Sequence, residues 1–292
     1  MNETGPIPRF RSLYRQSLPG SRVNEDGLGL CGRHAWIIDG ATGVSVQRLP
    51  GASSDAAWLS GEISTKIQDL AASERAAEAI FGALEGEISR VFTKAIPPAD
   101  AANDDHAPSA CLGLIGLRSG LKGETVVEGS FLGDVVALVP TEQGVVRWTD
   151  ERAKPFEKRT LAALGGATRE PGQVPEAVRR QILENRTKLN RPDGYWVVNP
   201  LRSWAGRELR FEARLAPDQP IVLATDGFMR LVDVFATYSD ASLHTALAQG
   251  RGEALMQELR DLESGDPMAD AYPRVKTHDD ATVLVIAAES YG

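Results

Sequence analysis

The chain has 292 residues, of which 42% are hydrophobic and 25% charged, the balance of a folded protein with a large core and not of a disordered one. Asp and Glu number 40 against 32 Lys and Arg, a formal net charge of -8 with no basic run to offset it, so nucleic-acid binding is a poor default. Two distant cysteines, Cys31 and Cys111, make neither a disulfide framework nor a Cys-rich zinc pattern and are expected to be buried or half-buried thiols.

The start of the chain lacks the basic-then-apolar layout of a signal peptide, and no apolar run approaches the roughly 20 residues that span a bilayer. The expected protein is cytoplasmic, without membrane contact. Residues 1–20, punctuated by Pro6, Pro8 and Pro19, read as an irregular lead-in with room for an edge strand. Ala35-Trp36-Ile37-Ile38 reads as a buried strand that runs into an Asp39-Gly40 turn.

Two helices follow. Ser53, Ser54 and Asp55 offer capping oxygens, and Ala56, Leu59, Ile63, Ile67 and Leu70 keep helical spacing. Ile80, Leu84, Ile88 and Val91 repeat it until Pro97-Pro98. Strand patterns then cover Cys111–Leu117, Thr125–Val127, Phe131–Val139 and Val145–Trp148, with short turns between them that favour antiparallel pairing. From about 150 to 215 lies a mixed insert. It holds a basic segment at Arg152–Arg159, a Gly165-Gly166 break, a helix over Pro175–Leu189 and a strand at Tyr195–Val198. Ile221–Ala224 is another buried strand, ending at Asp226-Gly227. Helical patterns fill about 228–264, and Ala281–Ala287 is a last apolar strand. This order is not a regular βαβ alternation, and it fits a single α+β domain over 1–292 with largely antiparallel sheets covered by helices.

Gly27-Leu28-Gly29-Leu30-Cys31-Gly32 satisfies G-x-G-x-x-G, but a dinucleotide site needs a strand before it and a helix after it. Here a polar segment precedes and a strand follows, so these glycines are read as shaping a turn.

Acidic residues at strand ends are more informative. Asp39, Asp226 and Asp279 abut apolar strands, Asp134 interrupts one, and Asn24-Glu25-Asp26 precedes the glycine-rich segment. Asp-Gly is a common turn pair, which accounts for any one of them. Five such sites beside buried strands are better explained by a shared cation, because an uncompensated charge there is costly. Carboxylates without Cys or clustered His favour a hard ion, Mg²⁺ or Mn²⁺. His34, His106, His244 and His278 are scattered; His278 stands out only because it abuts Asp279.

Asn24-Glu25-Asp26, Trp36-Ile37-Ile38-Asp39-Gly40-Ala41-Thr42-Gly43, Phe131-Leu132-Gly133-Asp134, Leu223-Ala224-Thr225-Asp226-Gly227 and Thr277-His278-Asp279-Asp280-Ala281-Thr282-Val283 occur in one order over nearly the whole chain. The set resembles the metal-dependent protein phosphatases, the type 2C Ser/Thr phosphatases, in their bacterial form. The resemblance implies a four-layer α-β-β-α sandwich with two mainly antiparallel sheets. It implies two Mn²⁺ or Mg²⁺ ions and a weaker third. Asp39 would bridge two ions and Gly40 offer its carbonyl. Asp226 and Asp279 would hold the first ion and Glu25 face the second, while Asp134 with Asp226 would form the third site. Arg22 is the candidate phosphate ligand, though only three residues before Glu25, and Asp26 the other candidate catalytic residue. The implied reaction is hydrolysis of phosphoserine and phosphothreonine on a phosphoprotein, opposing a Ser/Thr kinase, by a hydroxide between the metals and without a covalent intermediate.

Besides the tight Arg22 spacing, two departures qualify the match. Ala41 and Thr42 leave no histidine general acid after Asp39-Gly40. Arg230 stands where the family often has a second Asp, four residues after Asp226. The 150–215 insert falls where bacterial members carry a variable flap, which assigns it substrate selection or the cover of a sheet edge. Two other readings stay open: a pseudophosphatase that binds a partner without turnover, and a phosphatase of small molecules.

Overall fold

The computed structural model describes residues 8–41, 49, 51–73, 75–96, 107–120, 123–165 and 174–289. Pro6, Thr42, Gly43, Pro97-Pro98, His106 and Gly166 lie outside them.

Ten strands form two five-stranded sheets among the described residues. The strands are β1 (Arg9–Leu18), β2 (Gly27–Cys31), β3 (His34–Ala41), β4 (Ser109–Ser119), β5 (Thr125–Leu132), β6 (Val136–Thr141), β7 (Gly144–Trp148), β8 (Leu209–Arg214), β9 (Ile221–Ala224) and β10 (Ala281–Glu289). One sheet runs β1-β10-β9-β6-β7 and the other β2-β3-β4-β5-β8. Every neighbouring pair is antiparallel.

Most central strands are buried on both faces, which is why they read as apolar runs without clean alternation. Odd and even residues serve different layers. Ala35 and Ile37 of β3 face the other sheet, with Ile115, Leu117, Ala137, Val139, Leu223 and Leu284. Trp36 and Ile38 face outward and meet Leu59, Ile63, Ile67, Ile80, Leu84 and Ile88. These come from α1 (Asp55–Ala71) and α2 (Ala77–Ala95). On the other sheet, Val136, Leu138, Val222, Val283 and Val285 pack against Phe228, Leu231, Leu243, Leu247, Leu255 and Leu259. Those belong to α5 (Asp226–Asp233), α6 (Asp240–Ala248) and α7 (Gly252–Gly265). Three apolar interfaces between four layers make the expected α-β-β-α sandwich. Each fully buried Leu or Ile contributes about 1.5–3 kcal/mol.

The helical spacing in α1 lands as read. Ser54 caps it, its hydroxyl accepting from the Ala57 N–H at 3.0 Å. In α2 the stripe shifts by one at its end: Phe92 is buried and Val91 only half-buried.

The edge strand allowed for in the lead-in is present as β1, ten residues paired with β10. Several local readings are corrected. Gly27–Cys31 is strand β2 and the turn falls at Gly32. The Phe131–Val139 run is two strands, β5 and β6, broken by a turn at Gly133-Asp134. The 228–264 stretch is three helices, and α5 opens at Asp226 itself.

The insert contains α3 (Lys154–Ala162), α4 (Glu176–Arg186) and the edge strand β8. Tyr195–Val198 makes two isolated bridges, to Leu189 and to Ala110, and no continuous strand. Trp204 plugs the insert into the α1/α2 layer. It is fully buried, with its ring edge-on to Phe81 at 5.8 Å, and the backbone N–H groups of Trp204 and Ala205 donate to Glu85 at 2.5 and 2.6 Å. Trp204→Ala is expected to cost about 3–5 kcal/mol in urea denaturation. A loss under about 1 kcal/mol would mean that the insert is not anchored there.

Candidate metal centre

Antiparallel pairing brings the acidic strand ends together. Gly27 pairs with Ile38, so Glu25 and Asp26 arrive beside Asp39. Asp39 pairs with Cys111, and Leu112 with Leu132, which puts the Gly133-Asp134 turn next in line. Ala224 pairs with both Val136 and Val283, so Asp226 and Asp279 meet at the same edge of the second sheet.

Asp280 and Asp26 tie these ends in place. Asp280 accepts from the N–H groups of Gly20 and Glu25, both at 2.7 Å, and so clamps the loop that carries Arg22 and Glu25. Asp26 accepts from the hydroxyls of Thr225 at 2.9 Å and Thr282 at 2.7 Å, which stitches β2 to β9 and β10. Two glycines permit close backbone approach. A Cβ at Gly40 would stand 2.4 Å from the Glu25 carbonyl oxygen, and one at Gly227 would stand 1.9 Å from that of Asp280. Ser60 of α1 also donates to the Glu25 carbonyl at 2.6 Å.

The electrostatics are uneven across the site. Desolvation, then repulsion from Asp226, Asp26 and Asp134, pushes Asp39 well above the usual carboxylate range. Desolvation, then Asp134 and Asp279, raises Asp226 to about 7. Desolvation raises Asp26 to about 8, its two threonine bonds offsetting only part of the effect. Asp39 and Asp226 act on each other, so that each shifts the other's titration. Desolvation, then Asp134, also raises Glu157 of α3, although its large exposed surface lets solvent screen that repulsion. The Cys111 thiol is pushed up by burial and by Asp134 and Asp39, so it stays protonated and is no nucleophile.

Asp279 differs. Burial pushes it up, but Lys276 and Arg230 outweigh that and hold it below the usual range. The Arg230 guanidinium lies 2.6 Å from its Oδ2 and Lys276 Nζ lies 3.1 Å from its Oδ1. Arg230 is held in turn by Glu263 of α7 at 2.7 Å, and the Glu263 side chain is fully buried. Arg260 reaches the second Glu263 oxygen at 2.5 Å.

A hard divalent ion suits the donor set at Asp39, Asp134 and Asp226, where burial and mutual repulsion outweigh the partial offset that Arg230 gives Asp226. It does not suit Asp279, whose two oxygens already face cations. Among the described residues, no three acidic, His or Cys side chains are drawn together closely enough to hold a metal ion as they stand.

No family model matches the sequence, and no curated protein matches it either. Solved structures do match the fold. Serine/threonine phosphatase Stp1 from Staphylococcus aureus has a TM-score of 0.57 at 13% identity, over 99% of this chain and 98% of that one. The Mycobacterium tuberculosis phosphatase PstP/Ppp has a TM-score of 0.55 at 14% identity, over 96% and 98%. The chain has the fold of the bacterial PPM Ser/Thr phosphatases. The PPM fold also appears in the PstP catalytic domain solved with two manganese ions, at a TM-score of 0.52 and 13% identity over 97% and 98% of the two chains.

Within the PPM fold, Glu25, Asp26, Asp39, Gly40, Asp134, Asp226 and Asp279 all lie at one edge of the sandwich. Arg22 is exposed on the clamped loop. His278 faces Ser264 of α7 at 3.2 Å. Sequence reasoning missed Glu157, which sits in a basic segment with no motif, and the counter-ion role of Lys276. It also missed the clamp formed by Asp280, although that residue stood inside a quoted motif.

The raised carboxylates give the apoprotein a defined pH response. A group whose folded pKa lies above its unfolded value stabilises fully below the unfolded value, near 4, and loses that contribution as pH rises through the folded one. Asp226 and Asp26 therefore lose theirs up to about pH 7 and 8. His34, lowered to about 4 by burial and then by Arg33, acts in the opposite sense but is complete above about pH 6.5. In EDTA, the melting temperature is expected to fall between pH 6.5 and 8. Asp226→Asn is expected to flatten the fall and Mn²⁺ to reverse it. A flat wild-type profile would contradict the mutual repulsion.

Proposed function

We propose that this protein is a metal-dependent phosphomonoesterase that acts on phosphoserine and phosphothreonine in proteins, opposing a Ser/Thr kinase, in the cytoplasm. The supporting observation is the group of crowded carboxylates, Asp39, Asp134 and Asp226, whose burial and mutual repulsion nearby cations offset only in part, at the edge of a sandwich with the PPM fold. Its neighbours in fold are Ser/Thr phosphatases, one of them solved with two manganese ions. No helix of the described residues is long and apolar enough to cross a membrane.

In this reading Asp39 and Asp226 are the principal ligands, and the Gly40 carbonyl and Glu25 lie beside them. A bound Mn²⁺ or Mg²⁺ would acidify a water and offset phosphoryl charge. The chain's own residues do the rest. Asp280 and Ser60 hold the Gly20–Glu25 loop against the start of β10 and against α1. Asp26 fixes the registry of β2 against β9 and β10 through the two threonines and takes a positioning role. Arg22, exposed on the clamped loop, is available to a phosphate dianion. Glu157 of the insert feels Asp134, which supports a role for the insert beside the substrate.

A second reading, a partner-binding module on a phosphatase fold, is favoured by one observation: Asp279 is already neutralised by Arg230 and Lys276. The assay that separates the two is p-nitrophenyl phosphate hydrolysis with Mn²⁺, with and without EDTA. Activity is expected to need the ion and to fall on the order of 100-fold or more in Asp39→Asn. A wild type without turnover would leave the binding module. Among active outcomes, turnover of small phosphate esters but not of phosphopeptides would redirect the proposal to a small-molecule substrate.

A further inference from the structure

Both oxygens of Asp279 face cations of the chain itself, Arg230 at 2.6 Å and Lys276 at 3.1 Å. The Arg230 side chain is only 7% exposed and is not a chance contact. Its other nitrogen is fixed by Glu263 at 2.7 Å, and that carboxylate is fully buried between Arg230 and Arg260. The Thr277 carbonyl lies 3.4 Å from the same Arg230 nitrogen. Arg274 donates to the Glu263 carbonyl at 3.1 Å, which braces the far side of the network. A divalent ion at Asp279 would have to displace at least one of two positive groups and would stand next to the other. Like charges a few ångströms apart in a partly desolvated site repel strongly.

We propose that Arg230 and Lys276 replace a metal ion at Asp279, so that the chain binds one divalent ion on the Asp39–Asp226 side and none through Asp279. The inference rests on the metal-centre reading above but departs from the two manganese ions of the PstP catalytic domain. Arg230 supplies fixed positive charge in place of an exchangeable ion. Lys276, largely exposed at 61%, is the looser of the two groups. Asp279 then anchors α5 and the β10 entry and is not a metal ligand.

Mn²⁺ binding, measured by calorimetry and by electron paramagnetic resonance of the free ion, tests this without reference to turnover. The wild type is expected to bind one tight ion per chain. Asp226→Asn is expected to weaken it at least 100-fold and Asp279→Asn less than threefold. Lys276→Gln, an exposed change that leaves the Arg230–Glu263 pair intact, is expected to admit a second, weaker ion. Arg230→Met combined with Lys276→Gln is expected to tighten that second ion further, provided the variant folds. Two ions of similar affinity in the wild type would overturn the proposal, as would an Asp279→Asn loss equal to that of Asp226→Asn. Either result leaves the phosphatase reading standing. No ion in the wild type but binding in Lys276→Gln would uphold the replacement of metal by the chain's cations while removing the phosphatase reading. No binding in any variant would overturn both.

Discussion

Carboxylates brought together at the ends of buried strands repel one another, and the architecture around Asp39, Asp134 and Asp226 is arranged to tolerate that repulsion. The three side chains are half-buried, so water does not screen them fully, and Asp39 and Asp226 are pushed toward their protonated forms. A divalent cation would offset the repulsion. The hydrophobic layers below keep the site in place, since Ile38, Leu132, Ala224 and Ala281 are all fully buried within a few residues of the acids. The acids cannot spread apart without disturbing four strands at once.

Different parts of the same edge solve the charge problem differently. Asp26 is offset in part by two threonine hydroxyls, and Asp280 by two backbone N–H groups. Asp279 is offset by Arg230 and Lys276. Arg230 offsets Asp226 only in part, and burial and the neighbouring acids still raise both Asp39 and Asp226. That contrast separates the groups that build the site from those left to bind something. It also explains why Arg230 reaches further than its own side chain. It sets a cation beside Asp279 and requires the buried Glu263 as its partner.

The insert belongs both to the scaffold and to the site. Trp204 is driven into the α1/α2 layer as any large apolar side chain would be, and Glu85 satisfies the backbone beside it. Asn185 of α4 ties back to α3 through the Phe156 carbonyl at 3.0 Å and the Thr160 hydroxyl at 2.9 Å. On this packed support α3 presents Glu157 toward Asp134. A segment anchored in this way positions a side chain more firmly than a free loop would.

The sequence by itself determined the strand and helix cores, the two-faced burial of the central strands and the identity of the acids at their ends. Apolar periodicity and Asp-Gly steps are local properties, legible without partners. It also marked Gly40 and Gly227, whose hydrogens face the carbonyls of Glu25 and Asp280. Tertiary structure alone decided what those acids meet. β1 and β8 were obscure because edge strands are half-polar and take their conformation from pairing with β10 and β5. Glu157 and Lys276 carried no signal because a charge acquires a role only from neighbours distant in sequence. Arg230 was visible as a departure from a pattern, but its effect depended on geometry. Only the fold brings a guanidinium on α5 within 2.6 Å of a carboxylate 49 residues away, and within 2.7 Å of another on α7.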